Sequence, residues 1–165
     1  MSAFLLGANP TVADATAQFI LGTEIQDPRT AFSGNVIRYI KAAGTIAVNS
    51  AVRMDLTDET NEPNAMLATS ATGQIVAGVS IAALSSSATN GNVFGWITVK
   101  GKTSVLTAAV TAGALLVTTA TAGTLDDFAT NTDVTAAIIA SFSGPPIVSL
   151  DSTAATDGTL SVFVG

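Results

Sequence analysis

The 165-residue sequence contains no cysteine and no histidine. The first absence excludes a disulfide framework, thiolate metal sites and cysteine nucleophiles, and it leaves the redox compartment open. The second removes the commonest general base, the commonest metal ligand and the one side chain that titrates near neutrality. Charge is scarce as well: 11% of residues are Asp, Glu, Lys or Arg, against about 25% in an ordinary soluble domain, while 48% are apolar. So little charge suits a surface partly buried against other protein, in a homo-oligomer or on a larger assembly. The charge that remains is acidic, net -6, and the six Lys and Arg are scattered singly rather than in a stripe, which argues against a nucleic-acid partner. The uncharged runs Pro63 to Val99 and Thr103 to Leu125 are broken by Gly, Ser and Thr at short intervals. Neither reaches the ~18 consecutive strongly apolar residues of a membrane helix, so no membrane partner is expected. The first residues lack a basic n-region and their apolar run is short for a secretory signal, which points to synthesis and assembly in a cytoplasm.

What is present is strand and turn grammar. The densest stretch is Val93 to Phe128. Val93 to Lys100 mixes β-branched and aromatic residues at a period near two, Gly101-Lys102 reads as a turn, and Thr103 to Val110 reads as a second strand. Ala114 to Thr119 is a third, with Ala122-Gly123 and Leu125-Asp126-Asp127 as its closing break. Upstream, Val36 to Ala42 is a strand ended by Ala43-Gly44, Asn49-Ser50 is a turn, and Ala51 to Leu56 is a strand with alternating faces. Gln74 to Leu84 reads as a buried strand with Gly78 at a point of close approach. Val134 to Phe142, Ile147 to Leu150 and Thr159 to Val164 complete the set, the last being apolar enough to require pairing in a sheet. The sum is roughly nine to eleven short strands, which predicts an all-β fold: a compact β-barrel or β-sandwich of short antiparallel strands.

Residues 1–35 differ from the β-domain expected over 36–165. Asn9-Pro10, Asp27-Pro28 and Ser33-Gly34-Asn35 interrupt them, and a short helix is expected from about Thr11 to Leu21 with Asp14 in its first turn. They form an N-terminal arm, extended or partly helical. Its apolar residues Phe4, Leu5, Leu6, Phe19, Ile20 and Leu21 are costly to leave in water, which makes them the candidate partner-binding residues.

The search for chemistry returns structural readings. No HExxH, GxSxG, GxxxxGK or CxxC spacing occurs. Asp126-Asp127 and Asp58-Glu59 are adjacent carboxylates whose side chains would point apart on a strand, so they read as turn residues rather than an acid/base dyad. The loop Thr57 to Asn64 carries Asp58, Glu59 and Glu62 without the spacing or the turn glycine of a calcium loop. Lys100 and Lys102 are expected to point into water, and Trp96 and Tyr39 to serve as core or interface. No catalytic residue, metal site or cofactor is expected, although a carboxylate-dependent hydrolase using Asp55, Asp58 or Asp126, and a fibre- or pilus-like subunit, stay open as alternatives.

Four segments carry a resemblance: Tyr39 to Ile46 (YIKAAGTI), Val76 to Ser80 (VAGVS), Gly95 to Gly101 (GWITVKG) and Leu116 to Asp127 (LVTTATAGTLDD). In order and spacing this run resembles the head decoration, or cement, proteins of tailed bacteriophages. The resemblance leaves residues 1–35 unmatched. It implies a non-enzymatic virion protein on the capsid exterior, bound to the major capsid protein, often as a homotrimer, that clamps neighbouring capsomers against internal pressure.

Overall fold

A computed structural model describes residues 8–29, 34–55, 65–71, 73–85, 93–108, 110, 112–128, 147–149 and 158–164. Among them are ten strands and no helix: β1 (Glu24–Gln26), β2 (Val36–Ala42), β3 (Ala51–Met54), β4 (Ala65–Ala68), β5 (Gly78–Ser80), β6 (Phe94–Thr107), β7 (Leu116–Thr118), β8 (Leu125–Asp127), β9 (Ile147–Ser149) and β10 (Gly158–Val164). The expected all-β class is the observed one. The expected strands at Val134 to Phe142 and the loops at Thr57 to Asn64 and Ser85 to Asn92 fall wholly or mostly outside the described residues.

Five strands close a barrel. β2 pairs with β4 in parallel, β4 with β3, β3 with β5, β5 with β6, and β6 returns to β2, the last four antiparallel. Its interior holds Ile40 and Ala42 from β2, Val52 from β3, Met66 from β4 and Ile97 from β6, joined by Ile46 and Leu84, which bridge each other just outside the strands. The chain reverses between Ile46 and β3 as expected, with Asn49 in the left-handed region at φ 61° and the Ser50 N–H donating to the Ala47 carbonyl. Gly44 ends β2 where any side chain would strike Leu67, since a Cβ there would lie 2.7 Å from its Cδ2.

The structure corrects the reading of Gly101-Lys102 as a turn. β6 runs unbroken for 14 residues through that point. Its first half belongs to the barrel, and its second half pairs with β10 from Gly101 to Thr107 and touches β8 at Thr107–Leu125. The register against β2 slips there, Val36 facing Lys100 while Ile37 faces Thr98, a β-bulge, and Gly101 sits at φ 103°. Asn35 holds the irregularity in place: its Oδ1 accepts the Lys102 N–H at 2.9 Å and its Nδ2 donates to the Lys102 carbonyl. The side-chain amide thus substitutes for a ladder partner one residue before β2 begins. A Cβ at Gly101 would collide with that amide, so glycine is required by space as well as by φ.

Leu125-Asp126-Asp127 is likewise strand and not a break, with Asp127 buried. β7 and β8 pair with each other, and together with Val105 of β6, Val110 and Val164 they pack Leu116 and Leu125 over Ala51 and Val79, which face outward from the barrel. β10 is paired along its whole length, as its apolar sequence requires.

Candidate functional site

The opposite wall of the barrel carries the aromatic residues. Ile37 and Tyr39 on β2 and Trp96 on β6 are fully buried on a face that alternation turns away from the interior. What covers them is the described part of the N-terminal arm. Residues 8–23 cross this wall as a strap of turns and bends, and β1 then joins the sheet by pairing with β2. The helix expected from Thr11 to Leu21 is absent. Its apolar residues make no single stripe, and its backbone is held by local turns, Val12 N–H to the Asn9 carbonyl and Thr23 N–H to the Ile20 carbonyl, and by the barrel at Asp14 and Gln18.

The strap is pinned at a few points. Asn9-Pro10 starts it in a tight turn, with Asn9 Oδ1 accepting from Thr11 and the Asn9 carbonyl from the Val12 N–H. Asp14 exchanges both backbone hydrogen bonds with Phe94, at 2.8 and 3.0 Å. The Asp14 carboxylate also accepts the Tyr39 hydroxyl at 2.9 Å, and that hydroxyl accepts the Gln18 N–H at 3.2 Å. Further along, Gly22 N–H donates to the Tyr39 carbonyl and Tyr39 N–H to the Thr23 carbonyl. Between these anchors Phe19 drops onto the wall, its ring centroid 5.2 Å from those of both Tyr39 and Trp96, edge-on to the former. Tyr39 in turn lies 5.0 Å from Trp96 and stacks on Phe94 at 6.3 Å. Burial, and then the Asp14 carboxylate beside it, push the Tyr39 hydroxyl up to about 12, against the opposing pull of the Gln18 N–H.

The candidate partner-binding residues divide. Phe19 and Leu21 point inward and belong to this cluster together with Ala8. Ile20, between them, points out and is 84% exposed, and Val12 is 49% exposed on the same segment. Phe4, Leu5 and Leu6 lie outside the described residues. The outward residues Thr11, Val12, Ala15, Thr16, Ala17, Gln18 and Ile20 are all uncharged, because the one charged residue between 8 and 23 is Asp14, and it is bound to Tyr39. What the sequence did not disclose is the wall's role as a seat for the arm. A pattern of alternating Ile37, Tyr39 and of Phe94, Trp96 on strands whose other faces are also apolar was the available signal.

The residues held open for chemistry come from different parts of the chain. Asp55 follows β3, Asp126 lies on β8 half-buried, and Asp58 falls outside the described residues. Lys100 and Lys102 are exposed, as expected. Among the described residues no three His, Cys, Asp or Glu side chains group as metal ligands, and no helix is long and apolar enough to cross a membrane. Comparison with protein-family models, with curated proteins and with solved structures finds no match to this chain.

Proposed function

We propose that this chain is a non-enzymatic structural protein that decorates the exterior of a tailed-bacteriophage head, binding the major capsid protein and clamping neighbouring capsomers, as a homotrimer. The observation that carries the reading is the outward face of the strap, an uncharged surface with Ile20 standing 84% exposed on a barrel braced from two sides. An isolated exposed isoleucine is ordinary, but one carried on the uncharged outward face of a strap bound to a rigid support suits an anchor that fills a pocket on a partner. Sparse charge supports the same reading, since a shell-bound plug gains from burying surface, and several weak contacts repeated around a symmetric assembly add to firm attachment. Ile20 and Val12, with Phe4, Leu5 and Leu6 ahead of them, are the contact residues in this reading, whereas Phe19 and Leu21 position the strap.

The test is occupancy on heads of the cognate phage stripped of this protein, measured by electron microscopy and co-sedimentation. The full-length protein restores exterior density, and Ile20→Glu lowers occupancy at least about tenfold, the cost of placing a charge in an apolar pocket. No exterior density with the unmodified protein refutes the assignment. Equal occupancy with Ile20→Glu leaves decoration standing and removes the strap from the contact.

A further inference from the structure

We infer that Arg53 and Thr69 form a binding site for a single carboxylate group on the outward face of β3 and the strand beside it, β4. The inference goes beyond head decoration and does not rest on it.

Three buried side-chain polar atoms lack a hydrogen-bond partner among the described residues: Arg53 Nε, Thr69 Oγ1 and Thr98 Oγ1. A buried donor without an acceptor is costly and therefore rare. Two of the three are neighbours. Arg53 faces Leu67 across the β3–β4 ladder, and Val52 faces Ala68. Thr69 N–H then donates to the Ala51 carbonyl at 3.0 Å, which carries the same register one step further. Val52 and Met66 point into the barrel, so alternation turns Ala51, Arg53, Leu67 and Thr69 outward. On that face Arg53 and Thr69 are diagonal neighbours, about 7 Å apart and within reach of a long side chain.

The chain's other two arginines show what the unused edge of Arg53 can hold. Arg29 grips Asp27 through Nε and Nη2, and Arg38 grips Glu24 through the same two nitrogens. Arg53 uses only Nη1, in a 3.3 Å bond to the carbonyl of the adjacent Met54, and its Nε–Nη2 edge makes no hydrogen bond among the described residues.

The charge and shape of the ligand follow. A carboxylate carries two coplanar oxygens with lone pairs enough for Nε–H, Nη2–H and the Thr69 hydroxyl together. Its one negative charge balances the one guanidinium. A phosphate dianion would leave charge over, on a protein whose net charge is already -6 and with no second Lys or Arg on β3 or β4. Arg53 and Leu67 are half-buried and Thr69 is fully buried, so the hydroxyl is the floor of the site and the arginine its rim. Tied by a single long bond to its neighbour, the guanidinium turns aside to admit the group and closes over it.

The same chemistry is offered by a free small carboxylate and by an Asp or Glu side chain of a second protein chain. Sodium acetate and a blocked tripeptide with a central aspartate separate the two. In proton–nitrogen NMR spectra of the full-length protein, acetate at constant ionic strength shifts the Arg53 Nε–H signal saturably and leaves those of Arg29 and Arg38 in place, while sodium chloride moves none. Tighter binding of the tripeptide assigns the site to a partner's side chain, and equal or tighter binding of acetate assigns it to a free carboxylate. Arg53→Lys keeps the charge but removes the edge, so it identifies the signal by its loss and abolishes the response of the Thr69 amide. Thr69→Val weakens acetate at least about threefold, the loss of one neutral hydrogen bond. No saturable shift with either probe, the same shift with chloride, or full affinity in Thr69→Val overturns the inference.

Discussion

On one side of the barrel, residues 8–23 lie over Tyr39 and Trp96 as a strap with a single isolated bridge to the sheet. On the other side, the second half of β6 with β7, β8 and β10 lies over Ala51 and Val79 as a second sheet whose strands are laddered to one another. The materials differ as much as the connections. The strap side is aromatic, with ring pairs at 5.0 to 6.3 Å, and the sheet side is built from Val, Leu and Ala. The sheet side is also tied by backbone to the barrel: Gly123 accepts from Ala51 N–H and donates to the Thr69 carbonyl, both at 2.8 Å, and Leu106 N–H of β6 reaches the Asn49 carbonyl at 2.8 Å. Gly123 can make that approach because it has no side chain, for a Cβ would lie 2.5 Å from Ser50. One barrel thus has a cover that is continuous with it and a cover that is laid upon it, and the two should fail differently.

The sharpest way to break this contrast is to cut a cavity under the continuous cover. Leu125→Ala, at a fully buried site, is expected to lower global stability by about 2–5 kcal/mol, seen as one cooperative denaturant transition in which circular dichroism and Trp96 fluorescence coincide. Separate transitions would show that the second sheet is not continuous with the barrel. A smaller effect is expected at the seam. Asn35→Ala strips the amide from both backbone groups of Lys102 and should cost about 1–3 kcal/mol in the same measurement. A loss near zero would mean that water replaces the amide at no cost and that the bulge needs no clamp. The gentlest probe acts on the strap side alone and uses pH. The folded state holds Tyr39 protonated up to about 12, whereas the unfolded chain releases that proton near 10. The folded state therefore binds the proton more tightly, so this stabilisation is complete below pH 10 and is lost as pH rises from 10 towards 12. The melting temperature should fall across that window, and Tyr39→Phe should flatten the fall. An identical alkaline decline in Tyr39→Phe would assign it elsewhere.

Much of the fold was legible because its strands are locally marked. β2 was bounded to the residue by its β-branched and aromatic run and the Ala43-Gly44 that follows, and the apolar segment ending at Val164 announced a paired strand. The failures share a cause, which is that the deciding partner is far away in sequence. Gly101-Lys102 has the composition of a turn, and what keeps the strand going is the Asn35 side chain, 67 positions before Lys102 in the sequence. Leu125-Asp126-Asp127 reads as a break until β7 is set beside it. In the site, the apolar character of Phe19, Ile20 and Leu21 was plain, but not its direction: two of the three are spent on the chain's own wall. That outcome depends on Asp14 meeting Phe94 and Tyr39, and no spacing rule links those positions. The Thr11 to Leu21 segment had a helical beginning in Asn9-Pro10 and lacked a helical stripe, and the stripe proved the better guide.

β6 has a mechanical consequence. Fourteen residues of extended chain reach about 46 Å, and this one strand is clasped by β2 over its first half and by β10 over its second. A pull that separates the barrel from the outer sheet along this axis loads both ladders in shear, so that their bonds resist together rather than opening one after another like a zipper. The bulge at Gly101 is then the place where strain along the strand would concentrate, and the Asn35 amide acts there as a rivet.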